Sequence, residues 1–260
     1  MVAVQDILTA IEQGQLALPT LPSIAQKILR ASHNDELTSD HLAQLIEHDP
    51  AIAAQLVRIS NSPLVGRPTH IADLTTAIGL LGVGYCSQLA ISLALKQLFR
   101  ARHEHIKHEL EMIWQHSNRI SALAMTMAKA LKANPGEAYL AGLLQCIGAL
   151  PLLRWLDNTD TPAANIPHML DLHQAQIGAQ LLKTWEFPDS LCVIPLIRAD
   201  LNQQIAPDST LANIIALALY FLQDGKKEWQ PCSTLEQLNI APDDAQKKMM
   251  EWYSIAQSAH

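Results

Sequence analysis

Residues 45–82 read LIEHDPAIAAQLVRISNSPLVGRPTHIADLTTAIGLLG, and the breaks and caps in this stretch set the fold class. Asp49-Pro50 joins a side-chain acceptor to a residue with no N–H to satisfy, the mark of a helix N-cap and first position. Over residues 51–60 only Gln55 and Arg58 are strongly polar; Ile52, Ala53, Leu56, Val57 and Ile59 cover most of the circumference. A helix apolar nearly all round belongs inside a globule, so this one is expected to be the central helix of an all-α domain. Asn61-Ser62-Pro63 ends it, because the residue before proline disfavours the α region and Asn tolerates a left-handed turn. Asp73 caps a second helix over residues 74–81, and Gly82-Val83-Gly84 breaks the chain again.

Working outward toward the N-terminus, Ser39 caps a helix with Leu42, Ala43, Leu45 and Ile46 inward, and residues 23–31 carry Ile24, Ala25, Ile28 and Leu29 on one face. Leu18-Pro19-Thr20-Leu21-Pro22 is an extended, proline-stiffened segment, and residues 7–11 form a short first helix ended by Gly14. Toward the C-terminus, residues 83–99 read as one long helix, and the charged run RARHEHIKHELE, residues 100–111, links two halves along a solvated helix. Met112, His116, Ile120, Leu123, Met127 and Leu131 then recur at helical spacing as an inward stripe. Asn134-Pro135 caps an apolar helix over residues 136–155, which Gly148 and Pro151 kink or shorten. After a loop at residues 157–167, Leu170, His173, Ile177 and Leu181 form another inward stripe, ended at Phe187-Pro188. Residues 189–199, with a kink at Pro195, then 211–222 and 243–256, complete the helices. No run alternates with period two, so the fold is all-α. It is read as a multi-helix bundle, an N-terminal helical half (1–100) packed on a second half (101–260).

Composition narrows the function classes. The chain has 260 residues, 49% hydrophobic and 17% charged, enough for a sizeable core. Its net charge of −7 argues against a nucleic-acid partner, which needs a basic face to hold phosphates. Cys86, Cys146, Cys192 and Cys232 lack CxxC spacing, and the opening MVAVQDILTAIEQGQ has no leader character, so a reduced cytoplasm is expected. Residues 74–95 carry no charge and are long enough to span a bilayer, yet three glycines within six residues interrupt them. Two buried helices are expected there, not a membrane span.

The run Leu18-Pro19-Thr20-Leu21-Pro22, then Leu45-Ile46 and Asp49-Pro50, Arg58, Asn61-Ser62, and Ala77-Ile78 with Leu81-Gly82, resembles the bacterial HDOD family. The likeness continues more thinly through Trp114, His116-Ser117, Leu143-Leu144, Ile147-Gly148, His173, Gly178, Leu182, Trp185 and Pro188, covering roughly residues 16–200. That resemblance implies an HD-domain-like bundle, similar to the HD-type metal-dependent phosphohydrolases but acting as a non-catalytic signalling or output module through a protein partner. No fused receiver, kinase or cyclase segment is visible, so the partner is expected in trans.

In the phosphohydrolases that the chain resembles, metal is held by a histidine, an adjacent His-Asp pair and a later aspartate. The matching pair here is Gln145-Cys146, an amide and a soft thiol, where a hard divalent cation wants anionic oxygen. Leu196-Ile197-Arg198-Ala199 stands where further histidines would lie, and residues 212–221 hold no aspartate. No metal and no other cofactor is therefore expected. His116, Gln145, Cys146 and His173 are read first as core residues, the histidines hydrogen-bonded to backbone or to Gln145. The alternatives are a vestigial pocket for a small ligand or anion, and a soft metal site using Cys146. A phosphohydrolase acting on a nucleotide or phosphoester is the rival function, and a small-ligand sensor a third. The cluster of His103, Glu104, His105, His108 and Glu109 is not H-E-x-x-H and reads as a solvated helix face. The glycines of residues 79–84 have the wrong order for a dinucleotide loop. Asp49, Arg58, Asn61 and Ser62 are read as cap, local ion pair and turn, or else as a surface for a partner.

Overall fold

The computed structural model describes residues 18–32, 37–62, 70–157, 166–199, 209–222 and 233–258; the expected helix at 7–11, Pro63 and most of the 157–167 loop lie outside them. The described residues are helices and turns, with no strand among them. They divide into two compact units, Thr20–Leu98 and Phe99–His260, with Leu18 and Pro19 grouped with the second.

The smaller unit holds α1 (Ser23–Ser32), α2 (Ser39–Ile46), α3 (Pro50–Ser60), α4 (Leu74–Leu81) and α5 (Val83–Lys96). Its boundaries are local chemistry. Asp49 accepts hydrogen bonds from the Ala51 and Ile52 N–H groups, and Asp73 accepts one from Thr76 at 2.7 Å. Ahead of α2 the cap is Thr38, whose hydroxyl takes the His41 N–H; Ser39 is already the first helical residue. Gly82, at φ 90°, breaks the apolar run into α4 and α5, which meet at 114°. Asn61 does not turn left-handed as expected: its φ is −95°.

The central-helix expectation fails for α3. It buries one stripe, Ile52, Leu56 and Ser60, while Ala51, Ala54 and Arg58 are exposed. Alanine and a partly covered Val or Ile tolerate water, so an apolar composition does not by itself require burial. The centre of this unit is α5, which buries Cys86, Ser87, Leu89, Ala90, Ile91, Ser92, Ala94 and Leu95 and packs against the other four helices. Ser87 and Ser92 satisfy their hydroxyls on the Val83 and Gln88 carbonyls one turn back, so both can be buried.

The larger unit comprises α6 (Glu104–Ala130), α7 (Pro135–Leu144), α8 (Ala149–Leu156), α9 (Ile166–Thr184), α10 (Asp189–Cys192), α11 (Ile194–Ala199), α12 (Thr210–Leu222), α13 (Ser233–Gln237) and α14 (Pro242–Ser258). The charged run is no separate linker but the first turns of α6, where Ile106 and Leu110 are buried. Met112 is 50% exposed, against the expected stripe. At 100° per residue, Ile106, Leu110 and Ser117 mark a face roughly 140° round the helix from Met112, and α6 is buried all round only from Ile120 to Ala128. Asn134 caps α7, accepting from Gly136 and Glu137. Residues 135–156 are apolar enough to cross a membrane by composition, yet 89% of that window is buried inside the protein. The helix breaks at residues 145–148. Pro151 does not kink it, because it falls in the first turn of α8, where a missing N–H costs no hydrogen bond.

Three glycines let these helices touch backbone to backbone. A Cβ on Gly148 would overlap the Gln174 carbonyl and the Gly178 nitrogen of α9; one on Gly142 would lie 2.5 Å from Ser121 Cα; one on Gly178 would meet Pro195 of α11. The indole of Trp185 donates to the Pro19 carbonyl at 2.9 Å, tying down the proline-stiffened segment. α12, buried from Ala212 to Leu219, packs against α6, α7 and α11.

Candidate functional site

The close crossing at Gly148 fixes the turn between α7 and α8, and that turn presents Gln145 and Cys146 to the interior of the larger unit. Gln145 is fully buried, and its carboxamide is the hub of a polar cluster. Its Nε2 donates to Ser117 Oγ of α6 at 3.2 Å. Its Oε1 accepts from the Cys146 thiol at 3.0 Å and from Arg198 Nη1 of α11 at 3.0 Å. Ser121 Oγ donates to the Ser117 carbonyl one turn back, which completes the α6 side. Burial pushes the Cys146 thiol pKa up, outweighing the nearby Arg198 cation and the hydrogen bonds it shares with Gln145 and Ser117. Cys146 is therefore a neutral thiol at physiological pH.

His116 is half buried beside Ser117 on α6. His173 is 2% exposed on α9, and its Nδ1 has no hydrogen-bond partner among the described residues. Of the two partners expected for the histidines, backbone or Gln145, the Gln145 carboxamide is engaged instead by Ser117, Cys146 and Arg198. Desolvation lowers the His173 pKa, with repulsion from His168 adding to it, so the ring is neutral at pH 7. Two further polar residues stand on apolar helices of the larger unit. Asn213, the lone amide in the apolar run of α12, is 1% exposed with Oδ1 unbonded among the described residues. Arg198 is the only basic side chain between Lys183 and Lys226. A single polar residue inside an apolar helix was the available signal in both cases.

The metal of HD-type hydrolases does not fit these residues. Gln145 and Cys146 are neutral, and the Arg198 guanidinium already points at the Gln145 oxygen, so a divalent cation there would face a fixed positive charge. Among the described residues no three His, Cys, Asp or Glu side chains form a metal-ligand group, so His116, Cys146 and His173 are not brought together as one.

The histidine-rich stretch is the solvated face expected of it, with His103, Glu104, His105 and His108 exposed, but its start is tied to a buried carboxylate. Asp157, buried at the end of α8, accepts from the Arg102 and His103 backbone N–H groups and lies 2.9 Å from His103 Nδ1. Burial alone would raise its pKa, but these bonds hold it below the usual carboxylate value. Asp157 thus caps α6 from 54 residues away.

In the smaller unit, Asp49 and Asn61 sit at opposite ends of α3, roughly 18 Å apart at 1.5 Å per residue. The Asn61 side chain donates to the Ile71 carbonyl at 2.7 Å and accepts the Ile71 N–H at 2.8 Å, pinning the return of the chain. The Ser62 N–H donates to Ile59. Arg58 is exposed, with no ion pair among the described residues, so the expected local pair is absent. An open cleft of about 600 Å³ is lined by His70, Ile71, Asp73, Thr76 and Leu80, and its carboxylate is committed to capping α4.

Comparison with known proteins matches a model of the HDOD domain to residues 18–199. A protein of Treponema pallidum (strain Nichols) is 27% identical over 205 residues, 74% of this chain but 39% of that protein, so the chain spans well under half its length. A crystal structure from Shewanella amazonensis SB2B, named as a candidate metal-dependent phosphohydrolase, superposes with TM-score 0.80 at 22% identity, covering 98% of this chain and 97% of that one. One from Marinobacter aquaeolei VT8, named as a candidate signal transduction protein, gives TM-score 0.71 at 22% identity over 99% of this chain and 64% of that one. At these identities the likeness establishes the fold.

Proposed function

Because the chain belongs to the HDOD domain family, we propose that it is a non-catalytic signal-transduction module of the cytoplasm, working through contacts with a protein partner. The observation that carries this reading is the Arg198–Gln145 bond. A hydrolytic centre needs a metal-activated water, and here a guanidinium stands beside two neutral side chains at the turn where the cation would be held. The acidic balance of the chain supports a partner other than nucleic acid. The test is hydrolysis of a chromogenic phosphodiester by the purified, untagged chain with Mn²⁺. Turnover no greater than that of the His116→Ala variant is expected. Metal-dependent turnover lost in that variant would restore the phosphohydrolase reading. Affinity capture from native lysate, identified by mass spectrometry, addresses the partner.

A further inference from the structure

The most unusual charge in the larger unit is Arg198. Its guanidinium is half buried, and among the described residues its one bond goes to the neutral Gln145 oxygen and no carboxylate pairs with it. The other groups of the cluster cannot compensate it: Gln145 carries no charge, Ser117 is a hydroxyl, and burial keeps Cys146 a thiol. A half-buried cation with no counterion among the described residues is partly shielded from water, and an anion that reaches it gains a charge-assisted hydrogen bond. Gln145 holds Nη1 and so fixes the plane of the fork, whose remaining N–H donors match the spacing of two oxygens on a carboxylate or phosphate.

We propose that Arg198, steadied by Gln145 and Ser117, is the core of a binding site for a small oxyanion, a phosphate or carboxylate head group, reached from the solvent side of α11. The positive charge comes from the chain itself, so binding needs no metal. This goes beyond the signalling reading and does not depend on it, since an oxyanion can bind whether or not the chain has a protein partner.

The test is calorimetric titration of the full chain with inorganic phosphate, and separately with acetate, at matched ionic strength against chloride. Saturable binding of one of the two below about 10 mM is expected, and the preferred anion distinguishes phosphate from carboxylate chemistry. Arg198→Gln should weaken it about ten- to a hundredfold, while Arg198→Lys, which keeps the charge but loses the fork, should retain part of the affinity. Gln145→Glu is the second variant, since it keeps Arg198 and the side-chain shape but supplies an internal counterion. It should abolish anion binding with the fold intact by circular dichroism. No saturable binding to the wild type, or equal binding by Arg198→Gln or Gln145→Glu, overturns the proposal.

Discussion

Replacing Gly148 with alanine sets two calculable effects against each other. Gly148 has φ −68° and ψ −13°, a conformation any residue adopts. Judged by backbone freedom alone, alanine should therefore stabilise by about 0.4–1 kcal/mol. The new Cβ, however, would overlap the Gln174 carbonyl oxygen and lie 2.8 Å from Gly178 Cα. Both obstacles are backbone, so no rotamer change relieves them, and α9 must move away by on the order of 1 Å. Overpacking of this kind costs about 1–3 kcal/mol, and a rigid obstacle belongs at the upper end. The net expectation is a loss of about 2 kcal/mol, or a melting point lower by about 4–8 °C for a domain of this size. All five tryptophans lie outside Thr20–Leu98, so their fluorescence in a urea titration follows the larger unit alone. Gly79→Ala is the control. That glycine is exposed inside α4 with nothing within 4 Å of the added Cβ, and the change should gain about 0.5–1 kcal/mol in the smaller unit by circular dichroism. A Gly148→Ala midpoint at or above the wild type would refute the backbone crossing.

Asp157→Ala removes the cap on α6 and should cost about 2–3 kcal/mol at pH 7. Because the folded carboxyl is held below its ordinary 3.8, that stability is present above pH 3.8 and disappears as pH falls through the folded value. Wild type and variant should therefore converge in urea midpoint at low pH, and a gap unchanged at pH 3 would contradict the assignment. His173 is a base with a lowered pKa, so the unfolded chain takes up its proton first: stability is full above 6.5 and declines as pH drops below that value. Comparing midpoints at pH 7.5 and 5.5, His173→Leu should show a smaller decline than the wild type, and an equal decline would count against a buried neutral ring. Asn213→Leu exchanges a buried amide whose Oδ1 is unbonded among the described residues for a similar apolar volume and should gain about 1 kcal/mol; a loss instead would show that the amide is engaged.

What the sequence determined unaided was local. Asp49-Pro50, Asp73 and Asn134-Pro135 cap helices because the donor and acceptor lie two or three residues apart, and Gly82 breaks a helix because only its own φ is at stake. The inward stripe through His173 was likewise readable, since period and burial coincide there. That residues 145 and 146 are an amide and a thiol was also plain without any coordinates. Which helix occupies a centre was not. α3 and α12 are both apolar runs, and only the neighbours supplied by the rest of the chain bury one all round and leave the other half wet. The caps and charges that act across the fold were equally hidden, because Asp157 reaches α6 from 54 residues away and Arg198 meets Gln145 across 53. Periodicity reports how a helix is sided, whereas the partner of a lone polar group depends on how helices distant in sequence are brought together, and here the glycine crossings of the tertiary structure decided that.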